Sequence, residues 1–407
     1  MTTSRPTLRI LGIRGIPAAH GGFETFAERL APYLVSRGWR VIVYCQQLGR
    51  GEATSDTWEG IERVHIPVPR DGALGTMHFD LLSTLHARRS PGLCLTLGYN
   101  TAFLWPLLRT RGVLNVANMD GIEWRRGKWS RPVKAWFWLN DWFGCWTAHH
   151  LVADHPEIRK LLMTRVREDK ITQIAYGADR IRDVPPDALA PLGLESGRFM
   201  TLIARAEPEN SVLECVQGFS RRRRGIKLAV LGKYAEDNEY HRRVKACAGD
   251  EVVFVGPLYD KASVQALRAH CMAYLHGHQV GGTNPSLVEA LGSGNPVIAH
   301  DNVFNRWVTD ERAAYFTNAD EADDVITRVV QDPVLRTQLS RDAVSVFESR
   351  FAWEKILGSY EATLHGVLQG AVDLPETGHG VGPDVLHDHG GWAAPVTTDA
   401  EAPIKPS

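Results

Sequence analysis

Residues 276–302 read HGHQVGGTNPSLVEALGSGNPVIAHDN, and the order of parts in this stretch decides the fold. An apolar strand at 273–275 ends in a polar loop that carries Gly281 and Gly282. Pro285 then suits the first turn of a helix, where a missing N–H costs nothing. That helix opens on bare amides. With the positive end of the helix dipole and the φ freedom of the two glycines, they make a site for a phosphate or other anion. Glu289 stands one turn in, where a carboxylate can accept from sugar hydroxyls, although an ordinary solvated helix charge would look the same. The helix ends at Gly292, Ser293 and Gly294, and residues 296–298 start the next strand.

Strand, loop, helix and strand in this wording resemble the nucleotide-sugar site of retaining glycosyltransferases of the GT-B fold. The pattern HGHxVGGTNPSLxEA is similar to a rhamnosyltransferase-like branch of glycosyltransferase family 4. In that family a Glu, seven residues and a second Glu mark the site, the second carboxylate holding the nucleotide ribose. Glu289 falls on the second position, and Gly281 stands at the first. The resemblance implies an α/β chain with two Rossmann-like domains facing each other across a cleft. It implies donor binding by Gly282, Thr283, Asn284, Ser286, Leu287 and Glu289.

Length and composition agree with two domains, since 407 residues can build two ordinary cores. A formal charge of −1 gives no global field to attract nucleic acid or an anionic membrane. Six scattered cysteines without a CxxC pair read as reduced thiols of a cytoplasmic protein. The N-terminus lacks the apolar core of a signal peptide, and no run of about 18 apolar residues is present to span a bilayer. The expected location is the cytoplasm, with peripheral contact at the inner face of the membrane as a further option.

From the start of the chain, the strand at 8–13, the loop with Gly21 and Gly22, and a helix from about Phe23 again give strand, glycine loop, helix. A dinucleotide fold opens the same way, but the GxGxxG spacing is absent and no acid ends the next strand, which disfavours hydride chemistry. GIRGIP and GGFET look like the first loop of the same glycosyltransferase branch, where the paired glycines let amides approach the donor diphosphate. Strand and helix patterns alternate onward to a strand at 113–117, which argues a mostly parallel sheet. The segment DGIEWRR follows at the strand end, where open α/β sheets bind ligands.

In many relatives a His sits near the place of Asp120. The resemblance therefore makes Asp120 a catalytic candidate that orients a sugar hydroxyl or polarises the acceptor, whereas its local alternative is an Asx turn or helix cap. Glu123, Trp124 and Arg126 are placed on the acceptor side. Residues 124–146 hold half of the twelve tryptophans together with Arg125, Arg126, Lys128, Arg131 and Lys134. Such a mixture suits a membrane interface. Trp136, Leu139, Phe143 and Trp146 nevertheless recur at helical spacing and are expected to pack inward.

Val184-Pro185-Pro186 marks the linker. The expected domains are 1–184 on the acceptor side, 185–350 for the nucleotide sugar, a closing helix at 351–370 returning to the first domain, and a disordered tail at 371–407 that contains His387-Asp388-His389. Arg205, after the strand at 199–204, offers forked donors to a diphosphate. Family 4 enzymes usually carry an Arg here and a Lys five residues later; Asn210 takes the place of that Lys. Lys233 is a candidate replacement cation, and Tyr259 lies in the loop that approaches the nucleotide base. Residues 221–224, four arginines, read as a solvated helix end. His276 and His278 have no third ligand in sight, so hydrogen bonding to sugar or phosphate is expected rather than a metal.

The expected activity is transfer of a sugar, rhamnose by the branch resemblance, from a nucleoside diphosphate to a saccharide or lipid-linked saccharide acceptor in cell-surface polysaccharide assembly. The family mechanism retains anomeric configuration and needs a stabilised leaving diphosphate more than a protein nucleophile. No metal and no other cofactor are expected, as no DxD triplet or His/Cys cluster is present. Two competing readings are a nucleotide-sugar epimerase or phosphorylase on the same architecture, and a non-catalytic sugar-nucleotide-binding subunit.

Overall fold

Two separate sheets, each built on a run of parallel strands, divide the chain. The structure, a computed structural model, describes residues 5–19, 21–258 and 260–370. His20, Tyr259 and the tail with His387-Asp388-His389 lie outside the described residues.

The first sheet contains β1 (Thr7–Leu11), β2 (Arg40–Leu48), β3 (Thr54–Trp58), β4 (Ile61–Val68), β5 (Leu93–Leu97), β6 (Leu114–Asn118), β7 (His150–Ala153) and β8 (Ile171–Gln173), in the order β3-β4-β2-β1-β5-β6-β7-β8. Every pairing is parallel except β3 with β4, which are joined as a hairpin through Glu59 and Gly60, both at positive φ. The second sheet contains β9 (Phe199–Ile203), β10 (Lys227–Leu231), β11 (Val252–Gly256), β12 (Ala273–His276), β13 (Val297–His300) and β14 (Ala314–Phe316), ordered β11-β10-β9-β12-β13-β14. Its pairings are all parallel. Continuous apolar runs such as Leu93–Leu97 and Ala273–His276 are buried throughout, as strands covered on both faces must be.

Strand order reverses between β1 and β5 in the first sheet and between β9 and β12 in the second. Crevices open at such switch points, outside the carboxyl ends of the strands. The loops after β1, β9 and β12 therefore stand where a ligand is expected.

The helix Trp353–Gln369 ties the end of the described chain back to the first sheet. Trp353, Ile356, Leu357, Tyr360 and Leu364 recur along one helical face and share a core with Leu8, Ile10, Phe26, Leu30 and Val116. Tyr360 also accepts a hydrogen bond at 2.7 Å from Asn118 Nδ2 at the end of β6. The Pro333–Arg350 helix packs through Val346 and Phe347 on Leu287, Val288 and Leu291 of the Pro285–Gly292 helix.

Two expectations from the sequence change here. Of the four arginines at 221–224, Arg224 is buried, its side chain 3% exposed, and pairs with Asp323 on the Ala319–Gln331 helix; Arg222 joins the same carboxylate. They clamp one helix end to another. The second change concerns the Arg131–Thr147 helix, whose Trp136, Leu139, Phe143 and Trp146 are exposed rather than packed inward. The residues it buries are Asn140, Asp141, Gly144 and Cys145. All six cysteines are free.

Candidate functional site

Two helix N-termini meet across the gap between the sheets. Gly22 opens the Gly22–Ser36 helix after β1, and a Cβ added to it would stand 3.4 Å from Cγ of Pro285, the first residue of the Pro285–Gly292 helix. Gly21 precedes it in extended conformation and offers no side-chain cap. Two positive dipole ends with close backbone approach make a cradle for an anion. On the second side Asn284 caps its own helix, its Oδ1 accepting from the Ser286 N–H at 3.0 Å. Thr283 is 3% exposed, and the Ser286 hydroxyl is bonded to Tyr274. Leu287 is fully buried in the core beneath, so its side chain does not reach the cleft.

Glu289, one turn into the helix, has its side chain 31% exposed and ion-paired to Arg268, on the last turn of the Lys261–Ala269 helix. Desolvation pushes its carboxyl above the ordinary range, and the Arg268 guanidinium opposes this. The pairing fixes where the carboxylate points.

The loop after β6 closes the first-domain side. Asp120 sits at φ 52, its N–H bonded to Asn118 Oδ1 at 2.9 Å. The buried Tyr99 hydroxyl donates to the Gly121 carbonyl at 3.2 Å and accepts from the Glu123 N–H at 3.0 Å, pinning the loop at two points. Glu123 is held by Arg126 Nε at 2.8 Å and by the Trp129 indole N–H at 2.9 Å. Trp124 turns away from the gap, its indole N–H donating to Asp141 at 2.7 Å, and Asp141 in turn is paired with Arg165. Arg126 also reaches Glu209 in the second domain at 3.8 Å, and a Cβ on Gly121 would lie 3.9 Å from Cα of Gly281. Burial, and next the charge of Glu123, raise the Asp120 carboxyl, with Arg126 and Lys128 opposing.

The sequence reading passed over Asp154, which follows β7. Its Oδ2 accepts from the Thr283 N–H at 2.9 Å, and its backbone carbonyl accepts from the Thr283 hydroxyl. Its Oδ1 is buried without a partner and lies where a Cβ on Gly282 would have to stand. Burial, and after it the neighbouring Asp120, push this carboxyl up to about 8. The available signal was position: an acid directly after a buried strand of an open α/β sheet. Tyr99 and Arg268 were passed over as well.

Arg205 is exposed after β9, and Lys233 is exposed after β10. Asn210 is 4% exposed and donates to the Arg205 carbonyl at 2.9 Å, so it shapes the loop where a lysine would have brought charge. His276 is fully buried and stacks on His278, with ring centroids 4.4 Å apart. Burial holds both rings neutral, His278 down to about 3 with Arg205 and Arg126 contributing. Among the described residues, no group of three or more His, Cys, Asp or Glu side chains gathers in a metal-binding arrangement, and no helix is long and apolar enough to cross a membrane.

The fold has counterparts among solved structures. Residues 6–179 match the model of a domain of unknown function, DUF1972. No curated protein matches the chain in sequence. Among solved structures, sucrose-phosphate synthase from Thermosynechococcus elongatus is similar over 90% of this chain and 100% of that one, at 16% identity and a TM-score of 0.76. HepE of Anabaena, solved with UDP and glucose, is similar over 89% of this chain and 100% of that one, at 15% identity and a TM-score of 0.69. A glycosyltransferase from Rickettsia africae is similar over 90% and 100%, at 13% identity and a TM-score of 0.66. The chain has the GT-B fold, two Rossmann-like domains facing each other across a cleft.

Proposed function

We propose that the protein is a glycosyltransferase that binds a nucleoside diphosphate sugar in the cleft and transfers the sugar to an acceptor hydroxyl with retention at the anomeric carbon. The observation that carries this reading is the meeting of the Gly22 and Pro285 helix N-termini across the gap, with Glu289 fixed beside them by Arg268. The diphosphate sits between the two dipole ends with Arg205 and Lys233 as cations, and Glu289 accepts from the ribose. The bond from the anomeric carbon to the phosphate oxygen breaks while the acceptor oxygen bonds to the same face. The departing phosphate oxygen takes the acceptor proton, so amides and guanidinium that stabilise its charge do the catalytic work. Asp120 orients a sugar hydroxyl, and Glu123 and Arg126 shape the acceptor side, with Trp124 buttressing that loop through Asp141.

The donor is dTDP-rhamnose by the branch resemblance of the 276–290 stretch, with a UDP- or GDP-hexose as the alternative. The acceptor is a saccharide or lipid-linked saccharide of cell-surface polysaccharide assembly, reached at the inner face of the membrane. No metal takes part, and activity persists in chelator. A competing reading, a sugar-nucleotide-binding subunit without catalysis, draws on Gly281 and on Asn210, whose amide is committed to the Arg205 carbonyl.

Titration of dTDP, UDP, GDP and ADP against wild type, Arg205→Ala and Glu289→Ala tests the site. Selective binding of one nucleoside diphosphate, weakened by both substitutions, supports it; binding of none overturns it. Donor turnover that appears only when an acceptor saccharide is added separates transfer from epimerase or phosphorylase action and from mere binding.

A further inference from the structure

The Arg131–Thr147 helix is inverted relative to an ordinary surface helix. Asn140, Asp141, Gly144 and Cys145 face the protein, while Ala135, Trp136, Trp138, Leu139, Phe143 and Trp146 face out. The outward residues recur at three- and four-residue spacing and form a single apolar stripe. Trp146 is 58% exposed, Leu139 48% and Trp138 44%. Phe103, from the neighbouring Ala102–Leu104 turn, extends the stripe by packing on Trp136 at 5.3 Å between centroids. A soluble protein seldom leaves such a contiguous patch to water without a use for it.

Charge selects the occupant. Cations stand at both ends of the stripe: Arg131 and Lys134 on the first turn, and Arg109 at the last, its guanidinium donating to the Trp146 and Thr147 carbonyls at 3.5 and 3.4 Å. Arg111 and Arg125 lie exposed nearby in sequence. The carboxylates of residues 103–147 are Asp120, Glu123 and Asp141, and none projects outward: Glu123 is bonded to Arg126 and Trp129, Asp141 to Arg165 and Trp124, and Asp120 faces the cleft. A second copy of the chain laid along this stripe would bring cation against cation whether the helices ran parallel or antiparallel. A surface of anionic headgroups over an apolar layer complements both features, with indoles at the boundary.

We infer that the outward face of the Arg131–Thr147 helix is a docking surface for an anionic lipid bilayer, the helix lying flat in the interface with its aromatic stripe inserted. The helix follows the 119–130 loop directly, so docking sets the acceptor side of the cleft beside the bilayer. The inference goes beyond the transferase reading and does not depend on it, because adsorption to lipid requires no donor and no turnover.

The test is co-sedimentation of the full chain with vesicles of phosphatidylcholine, alone and mixed with phosphatidylglycerol. Wild type is expected to bind the mixed vesicles and to leave the neutral ones largely in solution. Leu139→Gln with Trp146→Gln is expected to abolish binding. Arg131→Gln with Lys134→Gln should weaken it about fivefold per cation, the equivalent of ~1 kcal/mol for each basic group near an anionic surface. Unchanged thermal midpoints show that the variants fold. Quenching of wild-type tryptophan fluorescence by brominated lipid gives the same answer without any substitution. No binding by wild type, or binding indifferent to both variants, overturns the inference. So does a wild-type dimer that the Leu139/Trp146 variant dissociates while neither form binds vesicles, which would assign the stripe to a second copy.

Discussion

Replacing Asp154 by Asn should stabilise the protein at neutral pH, and the size of the effect follows from the site. The Asp154 carboxyl is displaced from 3.8 to about 8 by burial under the Thr283 loop and by Asp120. A raised acid stays protonated in the folded chain while the unfolded chain ionises. Stability is therefore undiminished below pH 3.8 and falls as pH rises, by ~1.4 kcal/mol per pH unit, to a loss of roughly 5 kcal/mol near pH 8. That figure is a ceiling. Asp154 can ionise as soon as the cleft opens and water reaches it, so the loss cannot exceed the free energy of opening. Asn keeps an oxygen to accept the Thr283 N–H, bonded at 2.9 Å in the wild type, and has no proton to lose. Urea unfolding of wild type and Asp154→Asn across pH 4 to 8 should give equal stabilities at the acid end and a growing advantage for the variant, with a plateau where wild type opens. Small-angle scattering should show wild type expanding over the same range. Parallel pH profiles, or a variant less stable at pH 8, would refute the assignment of this buried carboxyl.

Arg268→Ala should leave Glu289 without the cation that aims it and weaken nucleoside diphosphate binding about tenfold, or ~1.4 kcal/mol, by titration calorimetry; Arg268→Lys should recover part, and an unchanged affinity would mean that Glu289 does not contact the ligand. Gly282→Ala would push a methyl into Asp154 Oδ1 and should lower stability by about 1–3 kcal/mol in urea, a loss largely relieved when Asp154 is also changed to Gly. Tyr99→Phe removes the hydroxyl shared by the Gly121 carbonyl and the Glu123 N–H and should cost about 1–3 kcal/mol, with a matching fall in transfer rate once an acceptor is known. Arg224→Ala leaves Asp323 to Arg222 alone and removes the buried guanidinium's bonds between the two helices, and should lower stability by about 1–3 kcal/mol with donor binding intact, read by thermal unfolding.

Most of the parallel strands were legible because their signal is local: a run such as LCLTL, apolar but for Thr96, reads as buried on both faces, whereas the three-residue β14 was too short to show. The β3 edge strand was not. Its residues TSDTW are mostly exposed and carry no apolar alternation, and it exists because the Glu59-Gly60 turn folds it onto β4. The 285–292 helix was legible from Pro285, whereas its Asn284 cap, which takes the Ser286 N–H, was not read. The inward face of the Arg131–Thr147 helix was not, since spacing identifies a stripe without saying which side the protein lies on. What turns this helix is polar: Asn140 Oδ1 accepts from the Phe103 N–H and Asp141 pairs with Arg165, both distant in sequence. The same holds for Asp154, whose burial is made by a loop 129 residues further along.

Those long-range contacts also sort the carboxyls of the cleft. Glu289 is matched by Arg268 and Glu123 by Arg126, so each has its charge compensated before any ligand arrives. Asp120 and Asp154 have no such cation in contact, and Asp154 keeps a buried oxygen without a partner. A buried polar atom left unbonded costs about 1–3 kcal/mol, which a ligand group paired with it would return as binding energy. Gly281, at the place where family 4 enzymes carry their first Glu, sits within 3.9 Å of the Cβ that Gly121 lacks, in the same corner that Asp120 and Asp154 enter from the facing domain. A third carboxyl at 281 would add like charge beside a pair already raised by burial, Asp120 further by Glu123 and Asp154 further by Asp120. The glycine thus fits a cleft in which the buried, uncompensated acids come from the first domain, while the one carboxyl the second presents, Glu289, already has its cation.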